Sequence, residues 1–461
     1  MAPPTRFTLP EDKLPKSWYN INADMPGKPT PPLHPETQEI LDPDYIASFT
    51  PIELMQQDIS TERYIEIPEP VRDIYKLWRP TPFVRALRLE KFLRTNAKIY
   101  YKYEGTSPVG SHKPNTAVAQ AFYAQKEGIK TLTTETGAGQ WGSALSMATN
   151  FFDMGCEIYM VRVSYNQKPH RRHVMTTFGG EVYASPSNRT ATGRKLLELD
   201  PNHPGSLGIA VSEGIEAALA SDGTKKYSLG SFLPHVLLHQ TIIGEETLLQ
   251  LEMANEYPDV VIACAGGGSN FAGFTFPFLR ENVRNGKKTR IVAAEPAACP
   301  TLTKGKYVWD WADTGKVAPI VKMYTLGHSF IPEKIHAGGL RYHGMSPQIS
   351  ALVHEGHIEA VAVDQVSSFE AGTIFAKTEG IIPAPESNHA IRATINEALQ
   401  CKQSGKPKVI AFNLSGHGDF DMGSYEAYNS GKLERYEYPE TEIQKSMADL
   451  PQVELDGLEN G

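Results

Sequence analysis

A chain of 461 residues is long for one hydrophobic core and suits one large or two medium domains, with room to bury a cleft. Its 40% hydrophobic and 21% charged residues exclude wholesale disorder. A formal net charge of −8, from 45 Lys+Arg against 53 Asp+Glu, offers no basic surplus for nucleic acid or an anionic membrane, so small-molecule chemistry is the default.

Residues 1–80 are Pro-rich and weakly periodic, with "PGKPTPPLHPE" in the middle, and are expected to form an arm of short helices wrapped on the core. The first residues lack the basic start, apolar run and small-residue cleavage site of a secretory leader, and no later segment is long and apolar enough to span a bilayer. Cys156, Cys264, Cys299 and Cys401 show no metal-finger spacing and fit a reducing cytoplasm, where the chain is expected to act.

From about residue 95 to 425, short apolar runs alternate with amphipathic ones. "KIYYKYE", "TLTTE", "EIYMVRV", "DVVIACA", "TRIVAAE" and "KVIAFNL" are strand-like, and each is followed by a loop or helix signal. This alternation predicts an α/β fold of two three-layer domains with mostly parallel twisted sheets, whose ligands lie at the carboxyl ends of the strands. The expected division is an arm at 1–80, a first α/β domain at 81–240, a second at 241–436 and an acidic, loosely packed tail at 437–461.

Three loops after strands carry chemistry. In "GTSPVGSHKPN", Pro114 suits the first turn of a helix, so Lys113 is anchored beside that helix's positive end, which favours the neutral amine that bonds an aldehyde. "CAGGGSN" follows a strand and opens a helix: Gly266, Gly267, Gly268, Ser269 and Asn270 read as a phosphate cup, without the GxGxxG of a dinucleotide site or the GK[ST] of a P-loop. In "NLSGHGDFD", Ser415 ends a strand and presents a hydroxyl. An aldehyde-binding lysine, a phosphate cup and a hydroxyl for a ring nitrogen are three handles for pyridoxal phosphate. A neutral serine at the ring nitrogen suits elimination and replacement at the β-carbon over transamination.

The blocks "RPTPF", "GSHKPN", "ETGAGQWG", "GGGSN", "EGIIPAPESNHA" and "NLSGHGD", in this order, resemble the tryptophan synthase β chains, a family of pyridoxal-phosphate enzymes. The resemblance implies that Lys113 is the lysine bonded to the cofactor, with His112 near its phosphate, Asn115 near its phenolic oxygen and Glu386 by the ring face. It makes Glu135 the acid/base that assists departure of the donor's β-substituent and then handles the indole N–H proton. Thr136, Gly137, Ala138, Gly139 and Gln140 would cradle the substrate carboxylate at a helix start. The implied reaction joins indole to L-serine or O-phospho-L-serine, giving L-tryptophan. The implied assembly is a homodimer, and docking of a tryptophan synthase α chain stays open.

Three departures from the common branch stand out. Arg341, in "HAGGLRYHG", replaces an Asp near the leaving group and points to O-phospho-L-serine as donor, because a guanidinium matches phosphate. Trp141 replaces a His, and His417 and Phe420 replace a basic pair. With the long arm, these resemble the second, divergent class of the family. His235 and His239 lack a zincin glutamate, so no metal is expected, and the run at 170–173 reads as a solvated helix start. The rival readings are a serine or threonine dehydratase, a synthase using another nucleophile, and a catalytically idle scaffold.

Overall fold

The structure is a computed structural model that describes residues 4–27, 30–333 and 335–453. Two sheets dominate it. The larger has seven strands in the order Arg6–Phe7, Phe83–Arg85, Lys98–Tyr103, Val409–Leu414, Val260–Cys264, Arg290–Pro296 and Glu359–Val363. Its last five strands are parallel, and the first two join antiparallel at one edge.

Alternation along these strands explains the layering. Val261, Ala263, Ile291, Ala293 and Ala411 face one core, which includes Phe271 and Phe274 of the helix Ser269–Asn285. Val260, Ile262, Val292, Ala294, Ile410 and Phe412 face the other, with Ala390 and Ala398 of the helix Ser387–Ser404. The smaller sheet is wholly parallel, in the order Glu181–Ser185, Gly155–Val161, Thr131–Thr136 and Lys225–Tyr227. The helices Gln140–Phe151 and Leu207–Leu219 pack on it. The fold is therefore α/β with mostly parallel sheets.

The sheets do not divide the chain at residue 240. Phe83–Arg85 and Lys98–Tyr103, expected in the first domain, pair into the sheet completed by the second half. Lys98–Tyr103 is buried on both faces, so it takes an interior position beside Val409–Leu414. The arm reaches the same sheet through Arg6–Phe7, and its Trp18 packs on His239 at a ring distance of 4.4 Å. The described part of the tail is not loose: Ile443 is 1% exposed and packs with Leu326 and Phe330. Among the described residues no helix is long and apolar enough to cross a membrane.

Candidate active site

Three neighbouring strands of the large sheet, Lys98–Tyr103, Val409–Leu414 and Val260–Cys264, end on the same side, so the loops after them converge. Lys113 caps the helix Pro114–Lys126, Ser415 follows Leu414, and residues 266–270 lead into the helix Ser269–Asn285. From the small sheet, Thr136 leads through Gly137–Gly139 into the helix Gln140–Phe151. Gly268 and Gly139 have φ of 116° and 95°, the left-handed region that glycine alone occupies freely, and each turns the chain into a helix start.

Two adjoining cavities occupy this convergence, sharing Lys113, Gln140, Ser231, Gly267 and Gly339. One, of about 360 Å³, is polar: His112, Gly266, Gly268, Ser269, Asn270, Glu386 and Ser415 line it. The other, of about 580 Å³, carries Glu135, Thr136, Gly137 and Ala138 on one side and Leu207, Val211, Leu229 and Phe232 on the other. Lys113 Nζ donates to the Gly230 carbonyl at 3.3 Å and lies 5.9 Å from the centre of the Trp141 ring. Burial lowers its pKa, although Glu135 and Glu386 oppose that shift.

Pyridoxal phosphate fits the polar cavity. His112 Nε2 is 3.3 Å from Ser269 Oγ, and burial holds its pKa down at about 3, so it meets a phosphate as a neutral hydrogen-bonding group. A Cβ on Gly266 would stand 2.7 Å from the Gly339 carbonyl oxygen, and one on Gly267 would stand 2.7 Å from Ser231 Oγ, so the cup has room for backbone only. Ser415 Oγ sits 2.7 Å from Ser387 Oγ, a partner hydroxyl that orients it. Glu386 accepts from Gln140 Nε2 at 3.0 Å and from the Gly339 amide at 2.9 Å. It ties the carboxylate-loop helix to the opposite wall.

Glu135 is buried, and burial raises its pKa to about 7 against a hydrogen bond from the Tyr227 hydroxyl. That places it where a carboxyl can both give and take a proton near neutrality.

Several expected residues lie elsewhere. Asn115 faces away from the cavities: it donates to Gln240 and Glu104 and accepts from Arg79 in a buried charged network. Asn270 lines the cup, but its amide braces the loop, donating to the Cys264 carbonyl and accepting from Asn413. Gly139 is backed by Arg171, whose Cβ would stand 2.7 Å from an added Cβ. Arg341 donates to the Pro332 carbonyl at 2.9 Å and is absent from both linings, while its neighbour Tyr342 lines the larger cavity. The run at 170–173 is not solvated throughout, since Arg171 is 1% exposed and ion-paired with Asp421. His235 bonds Asp58, and His239 bonds Gln57 and Thr116.

Gly230, Ser231, Ser387 and Tyr227 escaped the sequence reading. The first two follow the strand Lys225–Tyr227, whose three residues, KKY, are too short and too charged to read as a strand in the sequence.

The fold and site define a pyridoxal-phosphate dependent enzyme, and residues 74–416 match the family described by those words. Solved structures with this fold include a fungal L-serine ammonia-lyase from Rhizomucor miehei, at 16% identity and a TM-score of 0.56 over 77% of this chain and 98% of that one. Another is threonine deaminase isoform 2 from Solanum lycopersicum, at 16% identity and a TM-score of 0.58 over 88% and 97%. Sequence similarity is far higher to tryptophan synthase beta chain 2 of Methanosarcina mazei, 57% identical over 93% of this chain and 97% of the relative. The corresponding chain of Aquifex aeolicus is 58% identical over 93% and 99%. The protein belongs to the tryptophan synthase β chains, in their second class.

Proposed function

We propose that the paired cavities replace the β-hydroxyl of L-serine with C3 of indole, forming L-tryptophan. The single observation that carries this reading is one cavity joining an amine whose protonation burial disfavours, a carboxyl titrating near 7 and an apolar wall. A neutral Lys113 amine can remove and return the proton at the donor's α-carbon. Glu135 protonates the departing hydroxyl and then takes the indole N–H proton. Leu207, Val211, Leu229 and Phe232 receive the aromatic ring and keep water from competing for the activated carbon. The backbone of Thr136–Gln140, at a helix start, holds the substrate carboxylate.

His112, Lys113, the cup at 266–270, Glu386 and Ser415 would hold pyridoxal phosphate, which when bound would supply the electron withdrawal that makes the α-proton removable. A neutral Ser415 hydroxyl facing the ring nitrogen would suit elimination and replacement at the β-carbon. The donor is L-serine. What supports L-serine over O-phospho-L-serine is that Arg341, the residue whose guanidinium would match a phosphate, donates to the Pro332 carbonyl.

The same reading covers the assembly: a cytoplasmic homodimer that uses free indole, with α-chain docking a separate question. It keeps the arm at 1–80, counts the small sheet and its helices as one domain, and returns Phe83–Tyr103 to the other.

The test is tryptophan formation by the purified holoenzyme from L-serine and indole, with Lys113→Ala and Glu135→Gln alongside. Tryptophan from the wild type and none from Lys113→Ala is expected. Pyruvate alone, whatever the indole concentration, would overturn the reading in favour of a dehydratase.

A further inference from the structure

We infer that Tyr227 is a positioning residue for Glu135, fixing one carboxyl oxygen and favouring the ionised form that accepts the indole proton. The inference rests on the role proposed above for Glu135.

The geometry begins with the sheet. Tyr227 ends the strand Lys225–Tyr227 and stands in register with Thr133 of the strand Thr131–Thr136. Side chains two apart on a strand share a face, so Glu135 lies on the same face as Thr133, just beyond the end of the neighbouring strand. The phenol of Tyr227 spans that step, and its Oη donates to Glu135 Oε2 at 2.5 Å.

The ring is held from behind. A Cβ on Gly214 would stand 2.8 Å from Tyr227 Cε2, so the helix Leu207–Leu219 seats a glycine against it. That helix also supplies Leu207 and Val211 to the cavity wall. The acid's anchor and the aromatic wall are thus one packing unit.

Among the described residues Tyr227 is the nearest side-chain donor to Glu135 Oε2; the backbone amide of Glu135 itself favours the charged form to a smaller extent. Thr134 Oγ1 lies 3.4 Å from Oε2, but its single proton goes to the Ser228 carbonyl at 2.5 Å, and its oxygen already accepts from Trp141 Nε1 at 2.7 Å. The other titratable groups facing Glu135 are Lys113 at the helix start and Tyr342 beyond Gly338–Leu340, while Asp313 acts on Tyr227 itself. Burial and the adjacent Glu135 hold the Tyr227 phenol protonated far above neutrality. It is therefore a permanent donor, and the carboxyl is the group that titrates. A donor aimed at a carboxyl stabilises its charged form, so removing it raises the pH at which the acid becomes a base.

The experiment measures kcat/KM for indole against pH with the holoenzyme, in the wild type, Tyr227→Phe and Glu135→Gln. Phenylalanine keeps the ring against Gly214. The acid limb of Tyr227→Phe should move up by about one pH unit, an activity loss of roughly tenfold below the limb that recovers above it. A fluorinated tyrosine at position 227, a stronger donor, should move the limb down, which a purely structural role would not do. An unmoved limb, or a loss equal at every pH, would overturn the inference. If Glu135→Gln kept both activity and the limb, the role of Glu135 itself would fall and the inference with it, an outcome distinct from failure of the tyrosine alone.

Discussion

Arg171 Nη2 donates to Asp421 Oδ2 at 3.1 Å, while Lys168 Nζ takes the other oxygen at 2.6 Å. Lys168 caps the helix Pro169–Thr177 beside the small sheet and Arg171 lies in its first turn, while Asp421 lies in the segment after Ser415 of the large one. The pairing therefore spans the two sheets whose loops build the site. Burial pushes the Asp421 pKa up, but Lys168 and Arg171 overcome it and hold the carboxyl below its ordinary value.

Neutralising Asp421 should therefore act on both stability and binding. Asp421→Asn leaves a buried guanidinium without its counter-ion, at a cost of roughly 3 kcal/mol. Because the Arg171 stem backs the turn at Gly139, KM for L-serine should rise more than KM for indole. Urea unfolding and steady-state kinetics check the two effects. Unchanged values for both would mean that the ion pair holds nothing in place.

Glu135 should lower stability at the pH where it serves catalysis. Its pKa is about 7 in the fold against a reference of 4.5, so the native state binds the extra proton between these values and stability falls as pH rises through that window. Below pH 4.5 both states are protonated and the penalty vanishes. Glu135→Gln should be inactive, yet more stable than the wild type by about 2–3 kcal/mol at pH 8, with the difference fading by pH 5. Denaturant titrations at the two pH values decide it. A glutamine variant no more stable at pH 8 would mean that the carboxyl is not held in a desolvated state.

What the sequence revealed follows from locality. Lys113, the cup at 266–270 and Ser415 are readable because each lies in or beside a Gly-, Pro- or Ser-marked turn that follows a strand, and such turns are written in adjacent residues, whereas Glu135, inside the strand Thr131–Thr136, is marked only by the family resemblance. Sheet order is not written that way. That Lys98–Tyr103 pairs with Val409–Leu414 depends on burial summed over the whole molecule. Direction within a motif was lost too. Asn115 stands two residues beyond Lys113 on a helix start, which turns its side chain by about 200° and sends it to Arg79, Glu104 and Gln240. Tyr227 and Asp421 were invisible because their partners come from other elements.

Arg341 should not choose the donor. Its side chain is half-buried, its Nη2 donates to the Pro332 carbonyl, and burial lowers its pKa. Arg341→Met keeps most of the volume and forfeits about 1 kcal/mol with that hydrogen bond. The ratio of kcat/KM for L-serine to that for O-phospho-L-serine should stay at its wild-type value. A clear fall in use of the phosphorylated donor would return Arg341 to the leaving-group site.

The Gly230 turn should prove as sensitive as the catalytic residues, although it carries no functional group. Its carbonyl accepts from Lys113 Nζ, and a Cβ there would stand 2.7 Å from Trp141 Cε3, inside the indole ring's contact distance. Trp141 cannot easily yield, because its Nε1 is committed to Thr134 and the ring is buried. Gly230→Ala must therefore push the loop, at an overpacking cost of about 1–3 kcal/mol, and carry the lysine's acceptor and Ser231 with it. The expected result is a holoenzyme that still binds its cofactor but loses kcat, whereas Gly230→Ala paired with Trp141→His, which removes the larger ring, regains part of it. Absorbance of the bound cofactor and tryptophan turnover measure the two effects separately. Full activity in the single variant would show that the loop moves freely and that the Lys113 contact is incidental.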